Sequence, residues 1–269
     1  MTRNLVYLYL ISPLHTGGAT QEGNLLGIAR ESHTDLPYIP SSTIRGRLRA
    51  SAEDPVRTTL FGTELTGSET LVQGDIWIGD ASILWLPVPS LSHGVVWVSS
   101  PMLLNRWKRL NEVDSEIPLE YSTNLKNGKP IYLKDAILKD ANLTKWESWS
   151  NFIPQSGNTS DIKRVLVLPD QHCATLIQMS LWRQVKIKLD ENKTVDGGFR
   201  YEEAIPPDTL MYFPWGTTSQ ANGSAPTSSQ SFKDLLQKDS VLQIGGQESL
   251  GRGFVQHWLP TETVKELQK

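Results

Sequence analysis

Residues 37–49, Pro-Tyr-Ile-Pro-Ser-Ser-Thr-Ile-Arg-Gly-Arg-Leu-Arg, constrain the fold of this chain more than any other stretch. Each of the two prolines fixes its own φ angle and keeps the preceding residue out of the helical region, so the approach is extended. Ser41, Ser42 and Thr43 then stand where a helix should begin, because hydroxyl side chains accept hydrogen bonds from first-turn amides. The stretch therefore predicts an extended approach followed by a helix.

The predicted helix has two different faces. Ile44 and Leu48 are four residues apart and can face a core, while Arg45 and Arg49 share another face with the same spacing. Free amides at a helix start, together with stacked guanidinium groups, suit a chain of phosphates. An ordinary amphipathic helix with solvated arginines is the alternative interpretation.

The overall charge shows where binding of a polyanion would have to occur. The chain has 269 residues, and 26 Lys and Arg against 29 Asp and Glu give a net charge of −3. Any nucleic-acid site must therefore be a local stripe of positive charge. No apolar run approaches the roughly 20 residues of a membrane span, and the start of the chain lacks the pattern of a secretory signal, so we expect a cytoplasmic protein without a membrane partner. The single cysteine, Cys173, excludes an internal disulfide.

A hairpin is predicted over residues 185–203. Apolar residues alternate with Lys186 and Lys188, and a period of two is typical of a half-buried strand. Phe199 and Tyr201 alternate with charged residues on the return, so the hairpin has a basic edge. A plain solvated hairpin would show the same pattern.

Two glycine pairs lie next to residues that can contact a ligand. His15 follows the first predicted strand and precedes one pair, and Arg252 follows the other. Glycine allows tight turns and close approach of the backbone to a ligand, although such turns often have no ligand. The pairs are Gly17 and Gly18, and Gly245 and Gly246.

Strands and helices alternate without a nucleotide-binding fingerprint, which favours an α+β sandwich of the split βαβ type with insertions. Residues 111–164 are weakly periodic, and the sequence assigns them no structure. Residues 216–230 are small, polar and low in complexity, which predicts a flexible loop.

Several segments, taken in order, resemble one protein family. They are His15-x-Gly17-Gly18, Arg30-Glu31-x-His33-Thr34, Ile39-Pro40-x-Ser42-x-Ile44-Arg45-Gly46-x-Leu48-Arg49, Leu60-Phe61-Gly62, Asp80-Ala81 with Leu86-Pro87-Val88, Tyr201-Glu202-Glu203 with Pro206-Pro207-x-Thr209-Leu210, and Ile244-Gly245-Gly246-x-Glu248-x-Leu250-Gly251-x-Gly253. This pattern resembles the RAMP superfamily of CRISPR effector proteins, specifically the fourth-subunit family that forms the repeated backbone of type III-B Cmr complexes. Only residues 111–164 and 216–230 fall outside it.

The resemblance implies a single domain over 1–269, with a modified ferredoxin-like or RRM-like palm, a β-hairpin thumb at 185–203 and insertions. It also implies copies stacked along a guide RNA (crRNA), contact with target RNA, and other subunits of a type III complex as partners. The residues expected to contact RNA are Ser41, Ser42, Thr43, Arg45, Gly46, Arg49, Lys186, Lys188, Gly245, Gly246, Arg252, His15, Gly17 and Gly18. Such contacts recognise charge and shape rather than bases.

The sequence departs from the family at the position that matters for cleavage. RNA-cleaving members of the family place an aspartate a few residues before the Arg-Glu pair, and the matching position here is Leu25, beside Asn24. A leucine can neither take a proton nor bind a metal. We therefore expect RNA binding without a catalytic residue or metal site of its own, and with target cleavage reduced or lost.

Three alternatives remain open at this stage. Glu22, the one carboxylate in the loop, could support metal-dependent cleavage of target RNA, and a divalent metal would be needed only in that case. His15 could serve acid–base processing of precursor guide RNA, or it could brace the Gly17-Gly18 turn by hydrogen bonding. A purely structural partner protein would bind no RNA.

Overall fold

Two β-sheets organise the computed structural model, which describes residues 4–22, 25–63, 72–111, 114–219, 221 and 223–260. The larger is a mixed ten-stranded sheet, and the smaller is a four-stranded sheet that contains the predicted hairpin. Five α-helices accompany them in the described ranges. The predicted α+β class is confirmed, and a ferredoxin-like palm is consistent with this architecture.

The central strand of the large sheet is β1, in which every residue except Asn4 is buried. The strands of this sheet are β1 (Asn4–Leu10), β4 (Ile76–Ile78), β5 (Ser82–Ser90), β6 (Gly94–Ser99), β7 (Ser122–Thr123), β10 (Thr144–Lys145), β11 (Val165–Val167), β14 (Leu210–Thr217), β15 (Val241–Gln243) and β16 (Phe254–Trp258). They run in the order β10-β7-β11-β6-β5-β14-β1-β16-β15, and β4 pairs with β14. Both edges of β1 are paired, with β14 and with β16. Its alternate residues pack into two separate clusters, Val6, Leu8 and Leu10 in one and Leu5, Tyr7 and Tyr9 in the other, so both faces are buried, as its unbroken apolar run predicts.

The smaller sheet has the order β12-β13-β3-β2. Its strands are β2 (Gly17–Glu22), β3 (Leu25–Ile28), β12 (Trp182–Leu189) and β13 (Val195–Ala204). The hairpin predicted at 185–203 is thus present and somewhat longer. The turn predicted at Gly17 and Gly18 is wrong, because both residues begin β2. A Cβ atom on Gly18 would lie 2.8 Å from the carbonyl oxygen of Ile28, so glycine here permits the close approach of two strands.

The helices place apolar side chains on the two faces of the large sheet. They are α1 (Ser41–Ser51), α2 (Val56–Phe61), α3 (Pro101–Lys108), α4 (Asp170–Met179) and α5 (Ala225–Lys238). In α1, Ile44 and Leu48 are buried, as their spacing predicts. No helix in the described residues is long and apolar enough to cross a membrane.

The described part of segment 111–164, to which the sequence assigns no structure, contributes buried residues to both hydrophobic clusters of the large sheet. Besides β7 and β10 it contains the two-stranded pair β8 (Ile131–Tyr132) and β9 (Ile137–Leu138), and short 3-10 turns. Trp146 and Phe152 are buried against Trp85 and Trp107 in an aromatic cluster. The indole N–H of Trp85 donates to the carbonyl oxygen of Phe152 at 2.9 Å, so this segment is part of the core.

The flexible loop predicted at 216–230 is wrong at both of its ends. Strand β14 continues to Thr217, and α5 begins at Ala225. The carboxylate of Asp75 accepts hydrogen bonds from the hydroxyls of Ser224 at 2.8 Å and Ser228 at 2.6 Å. A carboxylate near a helix start is favourable, and it fixes a sequence whose own composition suggests flexibility.

Candidate nucleic-acid interface

Helix α1 begins at Ser41, as predicted, but its own hydroxyl groups do not cap it. The N-cap residue is Pro40, which has no side-chain acceptor. Instead, the backbone N–H of Ser41 donates to the carboxylate of Asp80 at 2.6 Å, and the N–H of Thr43 donates to the carbonyl of Pro40 at 2.9 Å. Ser42 lies between them and is exposed. The helix start is therefore closed in part by an acidic residue that the sequence analysis did not place there.

Arg45 and Arg49 share one face of α1, as predicted, and that face contacts the end of α2. Arg45 donates to the carbonyl oxygens of Phe61 at 2.7 Å and Ile76 at 3.0 Å, and Arg49 donates to that of Gly62 at 2.7 Å. The last carbonyls of a helix lack partners within the helix, and arginine can supply donors to them. Partial burial and the charge of Arg49 lower the pKa of Arg45. Both arginines therefore brace the fold, and the phosphate contacts expected of them stay a prediction.

The outer surface of α1 is open beside Gly46. This residue is exposed, and nothing lies within 4 Å of the position that a Cβ atom would occupy. Ser42, one helical turn earlier, is also exposed. Because both side chains are small, an extended ligand can approach the backbone of the first two turns closely.

His15 joins the glycine-rich turn to the base of the hairpin. Its ring is buried, and Nδ1 donates to the carbonyl oxygen of Glu203 at 2.8 Å, while its own carbonyl accepts from the N–H of Gly246 at 2.9 Å. A Cβ atom on Gly245 would lie only 2.4 Å from this carbonyl oxygen. His15 is thus a brace, as one of the open alternatives states, although its partners are not Gly17 and Gly18.

The approach to α1 lies beside the same residues. The hydroxyl of Thr16 donates to the carbonyl of Tyr38 at 3.3 Å, and Ile39 forms a bridge with Ala81. Tyr38 and Ile39 directly precede the start of α1. The structure therefore brings together the α1 approach, the glycine-rich turn and the hairpin base, which are distant in sequence.

Glu202 at the hairpin base is fully buried and neutralised by cations. Its carboxylate lies 2.9 Å from Arg252 and from Lys186, and 3.2 Å from Arg200. Burial alone would raise the pKa of Glu202, but the pairs with Lys186 and Arg252 outweigh it, so the pKa is lowered. The guanidinium of Arg252 is itself buried and stacks 4.4 Å from the Trp182 ring. A phosphate contact of Arg252, as the sequence analysis expects, would first have to break this pair.

Glu203 repeats the arrangement on the opposite face of β13. Its buried carboxylate lies 2.8 Å from Arg30, which precedes α1, and 2.8 Å from Arg183 of β12. Adjacent residues of a strand point to opposite faces, so the two glutamates hold both sides of the hairpin. These pairs connect the small sheet to the rest of the molecule.

The period of two was interpreted as a strand with one buried face. The structure corrects this, because the apolar face of the hairpin is exposed to solvent. Val185, Ile187, Phe199 and Tyr201 are 41–53% exposed, and the rings of the last two lie 5.5 Å apart. Leu25 in β3 is the register partner of Tyr201, so it extends this face. Lys186 and Lys188 point to the other face, which makes the hairpin amphipathic.

The described residues offer no cluster of metal ligands that would support either catalytic alternative. Leu25 is partly buried in β3, and Glu22 is its backbone partner in β2. Asn24 lies outside the described residues. Among the residues that are described, no group of three or more His, Cys, Asp or Glu side chains could hold a metal ion.

Three acidic residues beside the expected RNA contacts, Asp80, Glu202 and Glu203, were not predicted from the sequence, and neither were the cations Arg30 and Arg200. Lys186 lies directly opposite Arg200 in the β12–β13 ladder, a like-charge pair that a derived hairpin register would have revealed. Asp80 and Arg30 approach from other segments, so no local sequence signal identifies their partners.

Comparisons with known proteins agree with this geometry. The sequence model of the RAMP superfamily matches residues 7–256. The CRISPR system Cmr endoribonuclease Cmr4 of Pyrococcus furiosus is 33% identical over 287 residues, which cover 95% of each protein. The CRISPR system CMR subunit Cmr4 of Saccharolobus solfataricus is 33% identical over 114 residues, 41% of this chain and 35% of that one.

Solved structures show the same fold. The crystal structure of oligomeric Cmr4 from Pyrococcus furiosus has a TM-score of 0.72 and 26% identity, with 97% of this chain and 98% of that chain covered. A cryo-EM structure of a type III-B Cmr-beta complex bound to cognate target RNA contains a chain with a TM-score of 0.73 and 21% identity, which covers 96% and 97%. The second likeness concerns the fold alone.

Proposed function

The chain belongs to the RAMP superfamily, within its Cmr4 family, and on this basis we propose that it is the guide-RNA-binding backbone subunit of a type III-B-like CRISPR ribonucleoprotein. In this role it acts in antiviral defence in the cytoplasm. Its partners are the guide RNA, target RNA, neighbouring copies of itself and other subunits of a type III complex.

The convergence of three segments around His15 carries the proposal. The α1 approach, the glycine-rich turn and the hairpin base meet there. The exposed small residues Ser42 and Gly46 of α1 and the partly exposed Lys186 of the hairpin suit phosphates. Contacts of this kind fix the register of a nucleic acid without reading its bases. A subunit that serves any guide sequence needs this property.

Target cleavage by this subunit is reduced or lost in our proposal. The Pyrococcus furiosus relative is named an endoribonuclease, whereas Leu25 of this chain stands at the position of the family aspartate. Leu25 continues the apolar face formed with Tyr201, and the described residues contain no carboxylate cluster for a metal. A divalent metal would matter only if cleavage is retained through another carboxylate, such as Glu22.

Incubation of the guide-loaded complex with labelled complementary RNA and Mg²⁺ tests this proposal. We expect the wild type to bind the target and leave it intact, and the Leu25→Asp variant to produce regularly spaced cuts. Glu22→Ala is the matched control, because it removes the remaining carboxylate of the loop. Regular cuts by the wild type that Glu22→Ala abolishes would contradict the proposed loss of cleavage.

Processing of precursor guide RNA by His15 is less compatible with the structure. The imidazole is buried, and its Nδ1 is engaged by the carbonyl of Glu203. A general base must reach the proton that it removes. Cleavage of repeat RNA by the isolated chain would favour this alternative, whereas binding of RNA without products favours the backbone role.

A further inference from the structure

Two cations face each other across the hairpin without an opposite charge between them in the ladder. Lys186 of β12 is the direct register partner of Arg200 in β13. Like charges that are directly opposite destabilise a pair of strands. A hairpin that only had to fold would not need this pair.

Glu202 is the group that makes the pair tolerable. It is two residues from Arg200 on the same face of β13, and its carboxylate contacts Lys186 at 2.9 Å and Arg200 at 3.2 Å. It also contacts Arg252 at 2.9 Å, so one carboxylate holds three cations. The cluster therefore has an excess of positive charge, although the chain as a whole is negative.

This excess charge reaches solvent at two side chains. Arg252 is buried, whereas the side chains of Lys186 and Arg200 are 27% and 59% exposed. Lys186 is a compact point charge, and Arg200 has a planar fork of donors, of which one terminal nitrogen lies 3.2 Å from the Glu202 carboxylate. Together they can hold a phosphate group between two cations, with the remaining donors of Arg200 facing outward.

We propose that Glu202 is a positioning residue, which holds Lys186 and Arg200 together as a two-cation site for one RNA phosphate. The inference rests on the proposed function, because RNA supplies the phosphate. It adds Arg200 to the expected RNA contacts and gives a buried acidic residue a role in the binding of an anion.

The Glu202→Gln variant distinguishes positioning from simple electrostatic repulsion, because the two predict opposite changes in RNA affinity. If Glu202 only repelled RNA, Glu202→Gln would strengthen binding, because it removes a negative charge beside a polyanion. If Glu202 holds the cations together, the same change releases them and weakens binding. Glu191→Gln in the exposed hairpin turn is the matched control, since it removes the same charge from the same hairpin.

The measurement is the affinity of the full-length chain for fluorescein-labelled single-stranded RNA at several salt concentrations. We expect Glu202→Gln to bind about tenfold more weakly than Glu191→Gln, and the slope of log K against log salt to be smaller by about 0.7 for one lost phosphate contact. Equal or tighter binding by Glu202→Gln would overturn the inference. If the wild type showed no salt-sensitive binding, the proposed function would fall as well.

A second set of variants separates positioning from damage to the fold. In the Lys186→Met/Arg200→Met background, Glu202 has no solvent-exposed cation left to position. Glu202→Gln should therefore cause no further loss of RNA affinity there. A further loss of similar size would show that Glu202 acts through the fold alone, and it would overturn the inference.

Discussion

Gly245 packs closely against the backbone of His15, and this close packing can be tested by mutation. Its φ angle is +86°, and a Cβ atom would lie 2.4 Å from the carbonyl oxygen of His15. We expect Gly245→Ala to lower the free energy of unfolding by about 2–4 kcal/mol, because backbone strain and a backbone clash act together. Urea denaturation of the full-length chain measures the change.

Gly251 provides the control for the strain alone. Its φ angle is +73°, but nothing lies within 4 Å of the Cβ position, so Gly251→Ala should cost only about 1–2 kcal/mol. Equal losses for the two variants would show that the clash of the new Cβ atom with the carbonyl of His15 adds no cost beyond backbone strain.

His257 makes a pH-dependent contribution to stability. Its Nε2 donates to the carbonyl of Leu236 at 2.6 Å, and burial lowers the pKa of the imidazole below the usual 6.5. The unfolded chain therefore binds a proton more readily than the folded chain. The contribution of His257 to the free energy of unfolding is complete above pH 6.5 and is lost as the pH falls below it.

Urea denaturation between pH 7.5 and pH 5 tests this contribution. We expect the stability of the wild type to decrease toward pH 5, and His257→Gln to show a smaller decrease, because glutamine does not titrate there. A variant with an unchanged slope would place the titration on another group.

Charge and spacing predicted the helix and the face on which Arg45 and Arg49 lie, but not the groups that these side chains contact. The sequence analysis correctly placed Arg45 and Arg49 on one face of a helix that begins at Ser41. It could not predict that both guanidinium groups contact the end of α2, or that Arg252 is buried against Glu202. Those contacts depend on tertiary packing, which a local pattern does not contain.

At the scale of elements, α5 shows how one distant carboxylate can decide between loop and helix. The first turn of α5 contains Pro226 near its start, and Ser224 and Ser228 both donate to Asp75. We expect Asp75→Ala to lower the free energy of unfolding by about 2 kcal/mol, since hydrogen bonds to charged groups are worth more than neutral ones. The amides of the first turn of α5 should then exchange with solvent more rapidly.

Asp234→Ala is the matched control for this prediction. Asp234 is exposed on the same helix and accepts a hydrogen bond from the side chain of Gln230 at 2.8 Å. Its removal should cost about 0.5 kcal/mol or less. If the two variants were equally stable, Asp75 would not be the anchor of α5.

The contrast between the hairpin and α5 explains which elements were predictable. The hairpin has a period of two over both strands, and this signal is local, so both strands were predicted within a few residues. The exposure of its apolar face was not predictable, because periodicity shows that two faces differ and not what covers them. In residues 216–230 the helix depends on Asp75, more than 140 residues earlier in the chain, and the local composition indicated a loop.

At the scale of the whole molecule, the family resemblance predicted a palm with a hairpin thumb, and neither the resemblance nor the residues alone predicted the order of the strands. The neighbours of β1 are β14 and β16, which follow it by about 200 residues or more. Periodicity identifies strands but does not identify their partners. The ordered motifs identified the family, and the likeness to solved structures confirms the fold.

If the chain is a backbone subunit, the number of copies bound to an RNA should increase with the length of that RNA. The related Cmr4 of Pyrococcus furiosus has been crystallised as an oligomer, and in the function proposed above this chain contacts RNA phosphates rather than bases. We expect complexes of the full-length chain with single-stranded RNAs of increasing length to grow by whole protomers, in steps of constant RNA length and independently of sequence. Mass photometry measures the number of protomers on each RNA.

The salt dependence of this assembly decides whether phosphates drive it. A high-salt medium would hardly weaken an association governed by apolar contacts between copies alone. Occupancy governed by phosphate contacts should fall steeply as salt increases, since each neutralised phosphate of a single strand contributes about −0.7 to the slope of log K against log salt. A fixed complex size on every RNA, or occupancy that is insensitive to salt, would contradict a backbone that stacks along its guide.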